Sequence, residues 1–322
     1  MSNFNVWRFN VPFRSPLTLK GQTYTSREGL LIERDGQWAE ASPLPGFSPE
    51  TIEDVIAAIG KLNGQNSIDW DLVDSPALKF ALSSISRKIS TPISVPFNKL
   101  LLSDRDRILS SAKECFDSGC NSAKLKIGSS ELVEDVALVR EVRGLLPPRV
   151  ELRLDANQAW SFEEALEFAA KTEDVDIAYI EEPLRDPTRL EELFAQTGLN
   201  YALDESLAGD FLTGDVESRL ASCPNAAALI CKPTIVGGRA SVERLVQSAK
   251  PIVFSAAFES GIGLSRIVQL AHEFSPKVAA GLDTLDWLTT DLLTDSPVKL
   301  SGRFEFNQPP IADTTGLERI EL

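Results

Sequence analysis

Residues 123–128 read AKLKIG. Small or apolar side chains alternate with charged ones, the pattern of a strand whose neighbours point to opposite faces. Leu125 and Ile127 then share one face, and Lys124 and Lys126 share the other. Two ammonium groups on one face of a short strand reject an apolar core, so that face must meet something else. Seven more stretches have strand character: ISVPFN (93–98), ELRLDA (151–156), IAYIEE (177–182), YALDES (201–206), AALICKP (227–233), PIVFSA (251–256) and VAAGLD (278–283). Helix candidates such as 106–119, 130–146, 161–172 and 240–249 fall between them. Eight βα-type units over about 200 residues predict a (β/α) barrel. An open doubly wound sheet is the alternative, but no GxGxxG follows a strand.

The first ~90 residues have a different rhythm. GLLIERDGQWAEASPL (29–44) alternates around Asp35-Gly36, a hairpin signal. SPETIEDVIAAIGKL (48–62) predicts a helix with Ser48 as N-cap and Pro49 at its first position. The expected organisation is a small α+β unit over residues 1–92, a barrel over 93–300, and a segment 301–322 that returns to the first unit.

The 322 residues are 43% hydrophobic and 25% charged, ordinary values for a globular enzyme with a sizeable core. Net charge is −15, from 32 Lys and Arg against 47 Asp and Glu, which argues against a nucleic-acid partner or a basic membrane anchor. No apolar run reaches the roughly 20 residues of a membrane span, and the N-terminus lacks a secretory pattern. The four cysteines have no CxxC spacing and are read as free thiols of a cytoplasmic protein. A single histidine, His272, lies in a helical stretch, so acid–base work falls to Lys, Asp, Glu or Tyr.

Active groups of a barrel stand at the C-terminal ends of its strands. There, Asp155, Glu181 and Asp204 end three successive strands and point inward, as do Arg153 and Asn157. Adjacent strands are ~4.8 Å apart, so these carboxylates are expected to crowd together. Such crowding is costly without a cation. An all-oxygen ligand set selects a hard ion, Mg²⁺ or Mn²⁺. A lysine beside that ion and a second ammonium is poised to act as a base. Lys126 is the candidate base, Lys124 its charged neighbour, and Lys232 faces them across the mouth. This arrangement suits removal of a proton α to a carboxylate, with the metal taking up charge on the enediolate oxygens.

KLK, LRLDAN, IEEP, LDES and CKP, in that order, resemble the muconate-lactonizing-enzyme subgroup of the enolase superfamily. SREGLLI, EASPLPGFSPET, IVGG and GLDT resemble the o-succinylbenzoate synthase family within it. The resemblance implies an α/β fold: a modified TIM barrel, (β/α)7β, with an N-terminal α+β capping domain. It implies Mg²⁺ on Asp155, Glu181 and Asp204. It implies syn-dehydration of a small-molecule carboxylate, 2-succinyl-6-hydroxy-2,4-cyclohexadiene-1-carboxylate, to 2-succinylbenzoate, in menaquinone or phylloquinone biosynthesis. Lys126 would take the α-proton and return it to the departing hydroxyl, and Lys232 would steady the enediolate from the opposite face. Arg153, Asn157, Ser260, Gly261, Gly281 and Asp283 are candidate substrate contacts, with Ser26 and Arg27 on a capping loop that closes over the site. For Arg153 the alternative is a salt bridge to Glu151 or Glu181. Oligomeric state is left open, with a monomer compatible.

Three other readings compete. A dipeptide epimerase, N-succinylamino acid racemase or muconate cycloisomerase would use the same lysines and metal; the loop Pro43–Ser48 favours the dehydratase. A Schiff-base aldolase would use a barrel lysine but leave three carboxylates unexplained. A non-catalytic binding protein would have no need of opposed lysines.

Overall fold

A computed structural model describes residues 3–65 and 67–322; positions 1, 2 and 66 of the expected capping unit lie outside the described residues. Strands β1 (Asn5–Leu19), β2 (Gln22–Arg34) and β3 (Gln37–Ala41) form an antiparallel meander. The β2–β3 turn is Asp35-Gly36, with φ of 54° and 75°, the left-handed pair that matches the twist of a two-residue hairpin. The first helix spans Ile52–Leu62, and its cap is Thr51, not Ser48. Thr51 and Asp54 make a reciprocal capping box that outcompetes the Ser48-Pro49 signal, and the Ser48 hydroxyl instead accepts from Leu44 N–H at 2.9 Å. This helix and Pro76–Ile85 cover one face of the meander, burying Val6, Leu30, Ile32, Val55, Ile59 and Leu78.

The chain then makes β4 (Ile93–Pro96), β5 (Lys99–Leu101), β6 (Ser122–Lys126), β7 (Glu151–Asp155), β8 (Tyr179–Glu181), β9 (Tyr201–Leu203), β10 (Ala228–Cys231) and β11 (Ile252–Phe254). Strands β5 to β11 form one seven-stranded parallel sheet in sequence order. A helix occupies each interval, from Arg105–Asp117 to Gly261–Phe274 after β11. The eighth stave is residues 279–281, held by isolated parallel bridges Phe97–Ala280 and Ser255–Gly281 rather than a full strand. Asn98 N–H donates to Ala280 carbonyl (2.9 Å) and Ala256 N–H to Gly281 carbonyl (2.8 Å), which joins the two edges. The stretch 93–98, expected as one barrel strand, is split: residues 96–98 pair with the eighth stave. Its first part, β4, also pairs with β13 (Arg303–Phe306), itself paired with β12 (Val298–Leu300), and the pairing with β6 begins only at Lys99. β14 (Glu318–Ile320) then pairs with β1, with Ile320 opposite Val6.

Outward-facing Leu125, Leu152, Leu154 and Leu229 pack under the helices. Inward-facing Tyr179, Ala202, Ala228, Ile230 and Val253 fill the barrel floor. The period-2 alternation thus leaves charged inward positions one layer up, at the mouth. Among the described residues no helix is long and apolar enough to cross a membrane. All four cysteines are buried and free.

Candidate active site

Strand register places the charges. Lys126 lies opposite Asp155, and Asp155 opposite Glu181, on consecutive strands. Asp155, Glu181 and Asp204 are each no more than 2% exposed. Buried carboxylates need a countercharge. Lys124 Nζ lies 2.7 Å from Asp155 Oδ2 and 2.5 Å from Glu181 Oε2, and Lys126 Nζ is 2.6 Å from the same Asp155 oxygen. Lys232 Nζ lies 2.7 and 2.5 Å from the two Asp204 oxygens. Ammonium groups thus stand between the carboxylates that were expected to crowd together. Among the described residues, no three acidic, histidine or cysteine side chains converge as an assembled metal cage. Like charges repel at short range, and each carboxylate turns to the nearest ammonium.

The electrostatics follow from that pairing. Burial alone would raise Asp155, but Lys124 and Lys126 outweigh it and hold the carboxyl well below the ordinary range. Burial pushes Glu181 up to about 7, opposed by Lys124 and reinforced by Asp155 and Asp204. Burial would lower Lys124 and Lys232, yet their carboxylate partners win and hold both above the usual lysine value.

The donor set fits a hard divalent ion. Every donor is a carboxylate oxygen on adjacent strand ends, and Asp155 Oδ2 is fully buried with no hydrogen-bond donor aligned to it, although two ammoniums stand near. Asn157 completes the mouth: its amide oxygen accepts from Lys126 Nζ (2.5 Å) and its amide nitrogen donates to Glu205 (2.9 Å). Nothing in the sequence but its place directly after Asp204 marks Glu205 as part of the mouth. Glu182 turns away from the mouth and accepts from Asp204 N–H (2.8 Å), Ser206 N–H (3.0 Å) and the Ser206 hydroxyl, fixing the backbone that carries Asp204. A cavity of about 690 Å³ opens beside Lys126, lined among others by Leu102, Ser103, Arg105, Ser129 and Ser130.

Several sequence candidates are placed elsewhere. Arg153 is buried one layer below Asp155. It donates to Ala279 carbonyl (2.6 Å), pairs with Glu151 (3.0 Å), and lies 5.4 Å over the Tyr179 ring, so it braces the barrel floor. The N–H groups of Ser260 and Gly261 do open a helix, but Glu40 takes the first (3.0 Å) and Asp291 the second (2.7 Å). The positive helix end has recruited the protein's own anions. Asp283 is paired with Lys99 (3.2 Å) and Lys299 (3.0 Å). Gly281 serves close strand approach, since a Cβ there would meet Ser255 Oγ at 2.7 Å. Ser26 and Arg27 lie within β2, not on a loop; Ser26 pairs with Pro12. Arg27 is buried and donates to the carbonyls of Ser42 and Pro43 (2.7 Å to the latter). It holds the root of the loop Pro43–Ser48, whose Leu44 and Phe47 pack against Ile235, Ala257 and Phe258 at the barrel mouth.

Comparison with known proteins bears on the family and the fold. The family description "Enolase C-terminal domain-like" matches residues 107–309, and "MenC, N-terminal domain" matches residues 1–88. An o-succinylbenzoate synthase of Vibrio cholerae serotype O1 is 32% identical over 316 residues, covering 92% of this chain and 93% of that one. The structure of o-succinylbenzoate synthase from Thermosynechococcus elongatus BP-1, complexed with Mg in the active site, superposes with a TM-score of 0.74 at 25% identity, covering 90% of this chain and 95% of that one. An L-Ala-D/L-Glu epimerase from Bacillus subtilis shares the fold, with a TM-score of 0.79 at 19% identity over 96% of this chain and 98% of its own.

Proposed function

The chain belongs to the o-succinylbenzoate synthase family of the enolase superfamily and is a carbon–oxygen lyase, and on that premise we propose how its residues perform the dehydration. The reaction is loss of water from 2-succinyl-6-hydroxy-2,4-cyclohexadiene-1-carboxylate to give 2-succinylbenzoate. Asp155, Glu181 and Asp204 would hold Mg²⁺, with Mn²⁺ as a substitute. When bound, the ion supplies positive charge to the substrate carboxylate and so makes its α-proton acidic enough to remove.

Lys126 takes that proton and returns it to the departing hydroxyl on the same face. Asn157 orients the Lys126 amine through the amide oxygen 2.5 Å away. Lys124 keeps a fixed positive charge between Asp155 and Glu181. Lys232, held at Asp204, presents its ammonium to the electron-rich ring from the other side. The apolar contacts of loop Pro43–Ser48 limit water at the mouth. The capping unit 1–92, barrel 93–300 and returning segment 301–322 are the proposed divisions. A cytoplasmic location is part of the same reading.

The observation that carries this reading is the alternation of ammonium and carboxylate over neighbouring strand ends, Lys126–Asp155–Lys124–Glu181 and then Asp204–Lys232. Purified protein with Mg²⁺ and the cyclohexadiene substrate, followed by ultraviolet absorbance, tests it. Turnover that a chelator abolishes and Mg²⁺ restores is expected; no turnover at any Mg²⁺ concentration sinks it.

A further inference from the structure

Glu40, on β3 of the N-terminal sheet, is 1% exposed and has no role in the chemistry above. Its carboxylate crosses to the barrel. One oxygen accepts from Ser42 Oγ (2.6 Å); the other accepts from Ser260 N–H (3.0 Å), Ser260 Oγ (2.5 Å) and Gly263 N–H (3.2 Å). It therefore caps the helix Gly261–Phe274, which follows β11, from a residue 220 positions away in sequence. The fit is close: a Cβ on Gly263 would sit 2.9 Å from Glu40 Oε2 and 2.7 Å from Glu259 Cβ.

Glu259 extends the connection. It accepts from Thr234 Oγ1 (2.5 Å) and from Ala257 N–H (2.6 Å). Thr234 stands two residues after Lys232, so one carboxylate ties the Lys232 segment to the loop after β11. On the other side, Ser42 and Arg27 hold the start of the loop Pro43–Ser48. Two buried carboxylates side by side are costly unless well hydrogen-bonded. Burial, then Glu259, pushes the Glu40 carboxyl up to about 7. Simple helix capping is satisfied by one short polar side chain. A second buried acid reaching in from another unit needs a different explanation.

We propose that Glu40 is a positioning residue: it latches the N-terminal unit onto the loop after β11 and thereby seats Leu44 and Phe47 over the barrel mouth. The kinetic part of this rests on the dehydratase reading; the structural part does not. Loss of the latch frees the loop that closes on the substrate and leaves the carboxylate strand ends in place.

The test uses the full chain as Glu40→Ala and, as a milder lesion, Ser260→Ala. Limited chymotrypsin cleavage after Phe47 is compared with cleavage after Trp70, an exposed site on the same unit. The latch predicts faster cleavage at Phe47 relative to Trp70 in both variants. It also predicts KM for the cyclohexadiene substrate up about tenfold, with kcat within about threefold and unchanged Mg²⁺ affinity by calorimetry. Equal acceleration at both cleavage sites, or an unchanged KM, overturns the latch. If the wild type does not turn over the substrate at all, the dehydratase reading fails, and the cleavage ratio still decides the latch.

Discussion

Lys126 and Asp155 face each other across neighbouring parallel strands, with Nζ 2.6 Å from an Asp155 oxygen that Lys124 also approaches at 2.7 Å. One carboxylate oxygen thus answers to two ammoniums, while its own geometry leaves it without an aligned hydrogen bond. Charge in this mouth is balanced by alternation of ammonium and carboxylate.

Lys232→Ala removes the ammonium that neutralises Asp204. The carboxylate is then more available to a divalent ion. Mg²⁺ should bind more tightly by calorimetry, while kcat falls by roughly 10²-fold or more, since charge stabilisation in the transition state is lost. Weaker Mg²⁺ binding would show that Lys232 does not compete for Asp204.

Removing the metal and returning others separates the ion types. After dialysis against chelator, Mg²⁺ and Mn²⁺ should restore turnover and Zn²⁺ should not, because the site offers only hard oxygen donors. Restoration by Zn²⁺ alone would point to a different ligand set.

Glu182→Ala strips the acceptor from Asp204 N–H, Ser206 N–H and the Ser206 hydroxyl. Buried donors left unpaired cost about 1–3 kcal/mol each, so with three of them denaturant unfolding should show a loss of at least about 3 kcal/mol. Turnover should fall as well, since the Asp204 backbone is no longer fixed. A variant as stable as the wild type would contradict the assignment of Glu182 as a brace.

Glu40 gives a signed pH dependence. Its folded pKa is about 7 against an ordinary 4.5, raised by burial and then by Glu259. Between those values the folded state binds the proton and the unfolded state does not. The stabilisation is complete below about pH 4.5 and is lost as pH rises through about 7, at most about 3 kcal/mol. Glu40→Gln cannot titrate, so its melting temperature should fall less than that of the wild type between pH 5 and pH 8. Parallel profiles would show that Glu40 stays ionised throughout.

The barrel and its charged mouth were legible because strand alternation converts sequence directly into faces. Lys124 and Lys126, Arg153 and Asp155, or Tyr179 and Glu181 have no choice of side once the strand is recognised. What each inward group touches was not legible in this way. Arg153 and Asp155 share a face, yet one turns to the floor and Glu151 while the other stays at the mouth. The N–H groups of Ser260 and Gly261 looked free to hold a substrate, but their acceptors, Glu40 and Asp291, lie 220 and 30 positions away. Local spacing carries no information on such distant pairings. The same holds for β4, whose apolar alternation suits a barrel strand but whose partner is β13 near the end of the chain.

The central claim is that the Lys126 amine removes a carbon-bound proton from a substrate whose carboxylate is neutralised by the metal. The most direct measurement compares wild type with Lys126→Ala in Mg²⁺, following aromatic product by ultraviolet absorbance, with Mg²⁺ affinity measured alongside. The account predicts a loss of about 10³-fold or more in kcat with metal binding retained. Turnover that survives in Lys126→Ala would contradict it.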